Sequence, residues 1–117
     1  MALDRTVFDH IGIPTEARSA DATFVEATRV WVTSPRDHPA NVEWLRYEPD
    51  SPVTGPLRTT PHVAYRTADV AAAMRSHPVL LDPFEVGDGF ARVGFVLIDD
   101  VPVEFMQYAD PDETGWF

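Results

Sequence analysis

Short β-like runs rich in apolar residues, separated by clusters of turn formers, recur along the chain, and only one stretch carries helical spacing. Residues 6–13 (TVFDHIGI) alternate and are rich in β-branched and aromatic side chains, which predicts a strand stopped at Pro14. In TEARSADATF at 15–24, Ser, Asp and Thr compete for the backbone and leave room for a turn or two of helix at most. Strands are predicted over 28–33 (TRVWVT) and 42–47 (VEWLRY), with the two-proline loop SPRDHPA between them. Residues 48–61 carry four prolines and a glycine and predict a linker. Beyond it the pattern predicts a strand over 61–66, then a helix over 68–76. Thr67 is the expected N-cap of that helix, and Val70, Ala73 and Met74 share one face. A proline-bearing edge strand over 79–84 follows, then a turn at Gly87-Asp88-Gly89. Strands over 90–98 and 101–108 are joined by Asp99-Asp100. The acidic tail 109–117 ends in Trp116-Phe117, expected to dock on a surface or a partner chain.

The order of elements repeats. VEWLRYEPD at 42–50 and VEFMQYADP at 103–111 both spell Val-Glu-aromatic-aliphatic-polar-Tyr. Upstream, DHIGI at 9–13 and PHVAY at 61–65 each set a histidine inside a β-like run. Self-similarity of this kind predicts two copies of one unit. Module one spans about residues 1–52, the linker about 53–60 and module two about 61–110. A chain of 117 residues is the size of one domain, so the two units are expected to share a single core.

Composition narrows the functional classes. Without cysteine there is no disulfide framework, thiolate nucleophile or cysteine metal site. No apolar stretch is long enough for a signal peptide or a membrane span, and a cytoplasmic location is expected. The net charge of −10 comes from 19 acidic against 9 basic side chains with no Lys/Arg cluster, which argues against nucleic-acid and membrane partners. Its main expected role is solubility. A polyanionic substrate would have to be met by a few well-placed arginines.

Within the last strand of each unit, alternation puts Glu43, Leu45 and Tyr47 on one face, and Glu104, Met106 and Tyr108 on one face. A carboxylate on a covered strand is costly unless it is paired, metal-bound or neutralised. Neither strand offers a Lys or Arg on the face of its glutamate. His10 and His62 also lie inside apolar runs, whereas His38 and His77 precede prolines in predicted surface loops. If the units pack with approximate two-fold symmetry, two neutral imidazoles and two carboxylates would enclose a divalent cation without net charge. Nitrogen and oxygen donors without sulfur suit Ni, Zn, Co, Mn or Fe(II).

The repeat, opened by FDHIGIPT, restarted by TPHVAYRTADV and ended by VPVEFMQY, resembles the vicinal oxygen chelate superfamily, the glyoxalase and bleomycin-resistance fold. The resemblance implies an α+β chain in which two βαβββ-type modules form a cupped mixed sheet around a metal held by His10, Glu43, His62 and Glu104. His10 and Glu43 are 33 positions apart and His62 and Glu104 are 42 apart, so the first module is shortened. The loss is expected to fall on its helix and perhaps one strand. A sheet face left bare in this way predicts a homodimer. Substrate loops known from glutathione-using relatives are absent, which argues against glutathione adducts.

The implied activity is that of a metal-dependent glyoxalase-like lyase or isomerase. Its small-molecule substrate would chelate the metal through adjacent oxygens, and the metal would stabilise an enediolate as a proton is removed next to a carbonyl. Glu104 or Glu43 would be the base, with Tyr47, Tyr108, Trp31 and Arg92 lining the cup. Two alternatives stand beside this reading. One is a sequestering protein of the bleomycin-resistance kind, and the other an Fe(II) dioxygenase needing only His10, His62 and Glu104.

Overall fold

The structure is a computed structural model that describes residues 3–4 and 7–117; Thr6, which opens the first predicted strand, lies outside the described residues. Module one supplies strands β1 (Phe8–Pro14), β2 (Thr23–Val25), β3 (Val30–Val32) and β4 (Val42–Tyr47), with a 3-10 turn at Pro35–Asp37. After a one-turn helix α1 (Pro56–Thr59), module two supplies β5 (His62–Arg66), α2 (Val70–Met74), β6 (Val79–Val86), β7 (Ala91–Ile98) and β8 (Val101–Tyr108).

All eight strands form one mixed sheet in the order β2-β3-β4-β1-β5-β8-β7-β6. From the centre outward both halves follow the same path, first strand, fourth, third, second. The first strand pairs in parallel with the fourth in each half, and β1 meets β5 antiparallel. The result is an α+β fold with a cupped, nearly closed sheet.

Period-two alternation decides which residues face into the cup. On β8, Val103 and Phe105 turn outward and pack with Val96 of β7 under Val70 and Met74 of α2. Met106 and Tyr108, from the other face of the strand, join the cup core with Ala64, Val93 and Phe95. The segment between β4 and β5 packs into that core as well, through buried Val53 and Leu57.

Several boundaries differ from the sequence pattern. Asp69 is the N-cap of α2 and accepts from the Ala72 amide at 3.1 Å, while Thr67 accepts from the Asp69 amide just outside the helix. Asp69 wins because the helix starts two residues later than its pattern suggests. β6 runs on to Val86, and its pairing to β7 shifts between Val79 and Leu81 and again between Leu81 and Phe84, the stretch that holds Asp82-Pro83. A bulge of this kind lets an edge strand accommodate a proline.

Among its described residues module one has all four strands and no α-helix. Residues 15–22 form no helix, and β2 and β3 span three residues each against eight for β6 and β7. β2 is too short to show a period. With no helix over it, the outer face of β4 leaves Trp44 39% exposed. Trp116 and Phe117 pack onto the chain's own core. Among the described residues no helix is long and apolar enough to cross a membrane.

Candidate metal centre

The strand registers bring four side chains to one point. Gly12 of β1 lies beside Glu43 of β4, and Ala64 of β5 lies beside Glu104 of β8, in equivalent places of the two modules. Across the β1–β5 seam His10 faces Ala64 and His62 faces Gly12. Each imidazole therefore stands opposite a small residue. Gly12 is required here, because a Cβ added to it would fall inside the His62 ring.

His10, Glu43, His62 and Glu104 are all buried, and each offers one ligand atom within 4.8 Å of the others. Nε2 of His10 is 3.3 Å from Oε1 of both Glu43 and Glu104. Nε2 of His62 is 3.7 Å from Glu43 Oε1 and 3.2 Å from Glu104 Oε1. Yet neither Nε2 has a partner in hydrogen-bonding geometry. Ligands about 2.1 Å from one ion stand about 3.0 Å apart at right angles and about 3.4 Å apart at tetrahedral angles. The four donors, with two buried nitrogens otherwise orphaned, thus fit a divalent cation.

Asp9 steadies His10 from behind. Nδ1 of His10 donates to Asp9 Oδ2 at 2.6 Å. The other carboxylate oxygen accepts from Arg36 Nη2 at 2.8 Å, Arg66 Nε at 3.0 Å and the Tyr108 hydroxyl at 2.8 Å. A carboxylate on Nδ1 leaves Nε2 as the nitrogen turned to the ligand cluster, the usual outer support of a metal histidine. Simple alternation would send Asp9 to the opposite face from His10. The pairing of β1 with β5 slips by one residue between Phe8 and His10, and this bulge re-aims the intervening Asp9.

Charge and burial set the protonation states without an ion. Burial works against a charge on His10, but Glu43, Asp9 and Glu104 outweigh it and raise its pKa well above 6.5. Burial likewise disfavours ionised Glu104, yet the close approach and charge of the His10 and His62 rings prevail and hold its pKa below 4.5. Asp9 is also held below the ordinary carboxylate range, because His10, Tyr108 and Arg36 together overcome its desolvation. Burial pushes the phenols of Tyr47 and Tyr108 up, with nearby carboxylates adding to the effect.

Beside Glu43 and Glu104 lies a cavity of about 40 Å³, walled largely by aliphatic and aromatic side chains from both modules and by Trp116 and Phe117. Of the four residues expected to line the cup, Tyr47 does so. Tyr108 lies behind His10, bonded to Asp9. Trp31 pairs with Arg46 on the outer face of β3 and β4, and Arg92 is half-exposed against Glu85. The sequence pattern does not single out Asp9, Arg36 or Arg66. Its one signal for Asp9 was a charged residue directly beside the histidine in an apolar run.

No protein-family model matches the sequence, and no curated protein matches it. Solved structures do match in three dimensions. A hypothetical protein from Bacillus halodurans C-125 superposes with a TM-score of 0.62 at 16% identity, covering 92% of this chain and 97% of its own. A methylmalonyl-CoA epimerase from Mycobacterium tuberculosis superposes with a TM-score of 0.60 at 16% identity, covering 93% of this chain and 94% of its own. At that identity the likeness is one of fold, and this chain shares the fold of both proteins over nearly its whole length.

Proposed function

We propose that the cup is a divalent-metal site of the vicinal oxygen chelate kind, and that the protein is a metal-dependent isomerase or lyase. Its substrate is a small molecule presenting adjacent oxygens. The observation that carries this reading is the pair of orphaned, buried Nε2 atoms of His10 and His62 facing Glu43 and Glu104. The fold shared with a protein named as an epimerase supports the general class of reaction.

His10, Glu43, His62 and Glu104 would hold the ion. When bound, it supplies positive charge that polarises a carbonyl oxygen and acidifies the neighbouring C–H. A carboxylate oxygen of Glu104 or Glu43 takes that proton and returns it at the same or the adjacent carbon, with no net oxidation. The apolar walls keep water from competing for the proton. Asp9 holds the His10 ring in place throughout.

The reaction is tested by solvent exchange. The metal-loaded protein in D2O, given uncharged 2-hydroxyketones, is expected to wash out the proton beside the carbonyl. Glu104→Gln or Glu43→Gln should slow that exchange by about 10²–10⁴-fold, the usual contribution of a general base. Full metal loading with no exchange would overturn the reading. One observation favours a second reading, a sequestering protein: apart from Glu43, Glu104, Thr28 and the Tyr47 phenol the cavity is almost wholly lined by apolar and aromatic side chains. Failure to take up metal after supplementation would favour that alternative.

We also propose that two copies pair through the uncovered outer face of β3 and β4, where Trp31, Trp44 and Arg46 lie together. An apolar sheet face without its helix is an unusual surface to leave in water.

A further inference from the structure

We infer that the cup takes an uncharged ligand bearing a flat aromatic group, and that this group enters by displacing Trp116 and Phe117. The inference rests on the reading of the cup as the ligand site given above.

The first ground is charge. Apart from Glu43 and Glu104 the cavity wall carries no ionisable group except the Tyr47 phenol, and it carries no Lys or Arg. The nearby arginines are engaged elsewhere. Arg36 and Arg66 both bond Asp9, and Arg58 donates to the backbone carbonyls of Glu48, Ser51 and Val53. A phosphate or carboxylate brought into the cup would be buried beside two carboxylates, with only Arg36 near the slot, and that guanidinium is already bonded to Asp9. An ion on the quartet would bring the four groups to neutrality and leave no positive charge spare.

The second ground is what fills the cup now. The Trp116 indole stands edge-on to the His10 imidazole, with ring centroids 5.2 Å apart at 84°. Phe90 lies 6.1 Å away, Phe117 stacks on it at 5.1 Å, and the Arg36 guanidinium lies 5.5 Å over the ring. This is a slot shaped for an aromatic ring. With both rings seated, the remaining space of about 40 Å³ holds a few waters at most. Ordinary ligand sites need several hundred Å³. A substrate cannot share the cup with these side chains.

The third ground is how loosely the segment is held. Nε1 of Trp116 is buried without a hydrogen-bond partner, a standing penalty that is relieved when the ring swings into water. Residues 109–117 form neither strand nor helix. The backbone before the ring is tied by a 3.4 Å bond from Arg36 to the Gly115 carbonyl and a local bond from the Gly115 amide to Glu113. The binding-competent form is then a minor open state, and the apparent affinity of any ligand is lowered by its population.

The test uses metal-free, full-length protein and indole itself as the probe, read by the indole N–H resonance of Trp116 in NMR titrations. Indole is expected to shift that resonance in the wild type, and Trp116→Ala, which lacks the reporter and is followed by calorimetry beside the wild type, is expected to bind indole at least about tenfold more tightly, since the competing ring is gone. Benzoate and coenzyme A are expected to bind at least about tenfold more weakly than indole. Should Trp116→Ala fail to fold, the wild-type titration gives the answer alone. The inference is overturned if indole leaves the Trp116 resonance unmoved, or if benzoate or coenzyme A binds in the cup as well as indole. Because the titration needs no metal, failure of metal binding and failure of indole binding are separate results.

Discussion

Asp9 accepts a 2.6 Å hydrogen bond from Nδ1 of His10, its neighbour in sequence, and is itself gripped by side chains from three other parts of the chain. The geometry makes it the support of the proposed metal ligand. Asp9→Asn keeps the size but weakens that hold, and is expected to reduce divalent-metal affinity by about 10–100-fold, measured by calorimetry. Unchanged affinity would remove Asp9 from the account.

Gly12 gives the His62 imidazole its place, since an added Cβ would overlap the ring. Gly12→Ala is expected to lower unfolding stability by about 1–3 kcal/mol in denaturant titrations, and to abolish metal uptake by pushing His62 out of line. A variant that folds and binds metal normally would show that the seam is looser than the register implies.

Metal uptake should release protons. The His10 pKa is raised well above 6.5 in the metal-free fold, so the charged ring contributes stability that is fully present below pH 6.5 and lost as pH rises through the raised value. An ion needs the neutral ring. Between pH 6.5 and the raised value, loading is expected to release about one proton per ion and to tighten as pH rises. Calorimetry in two buffers of different ionisation enthalpy measures this directly. The same heat in both buffers would contradict it.

The bare outer face of module one is tested by sedimentation. Wild-type protein is expected to run as a dimer, and Trp44→Asp as a monomer with its metal site intact, because Trp44 is on the face turned away from the cup. A monomeric wild type would leave that face without a partner copy.

Much of the centre could be read from the sequence because β4 and β8 are regular strands with no shift in their pairing, so side chains simply alternate between their two faces. Their glutamates fall on the same face as Leu45 and Met106, and the strands themselves lie where the pattern sets them. The repeat then links each glutamate to a histidine. What alternation could not supply was orientation that depends on pairing. Trp31 lies on the outer face because it pairs with Arg46, and Arg92 because it pairs with Gln107. Asp9 turns to His10 through a one-residue bulge, which no periodicity encodes. Trp116 reaches the cup from an irregular tail whose path depends on contacts distant in sequence.

The most direct test is metal stoichiometry. Purified protein is stripped, saturated with Ni, Zn, Co, Mn or Fe(II), desalted and measured for bound ion, beside single alanine variants of His10, Glu43, His62 and Glu104. About one ion per chain is predicted for at least one of these metals, with the loss of any one of the four ligands sharply reducing retention. A folded wild-type protein that retains none of them, or variants that retain the ion as well as the wild type, would contradict it.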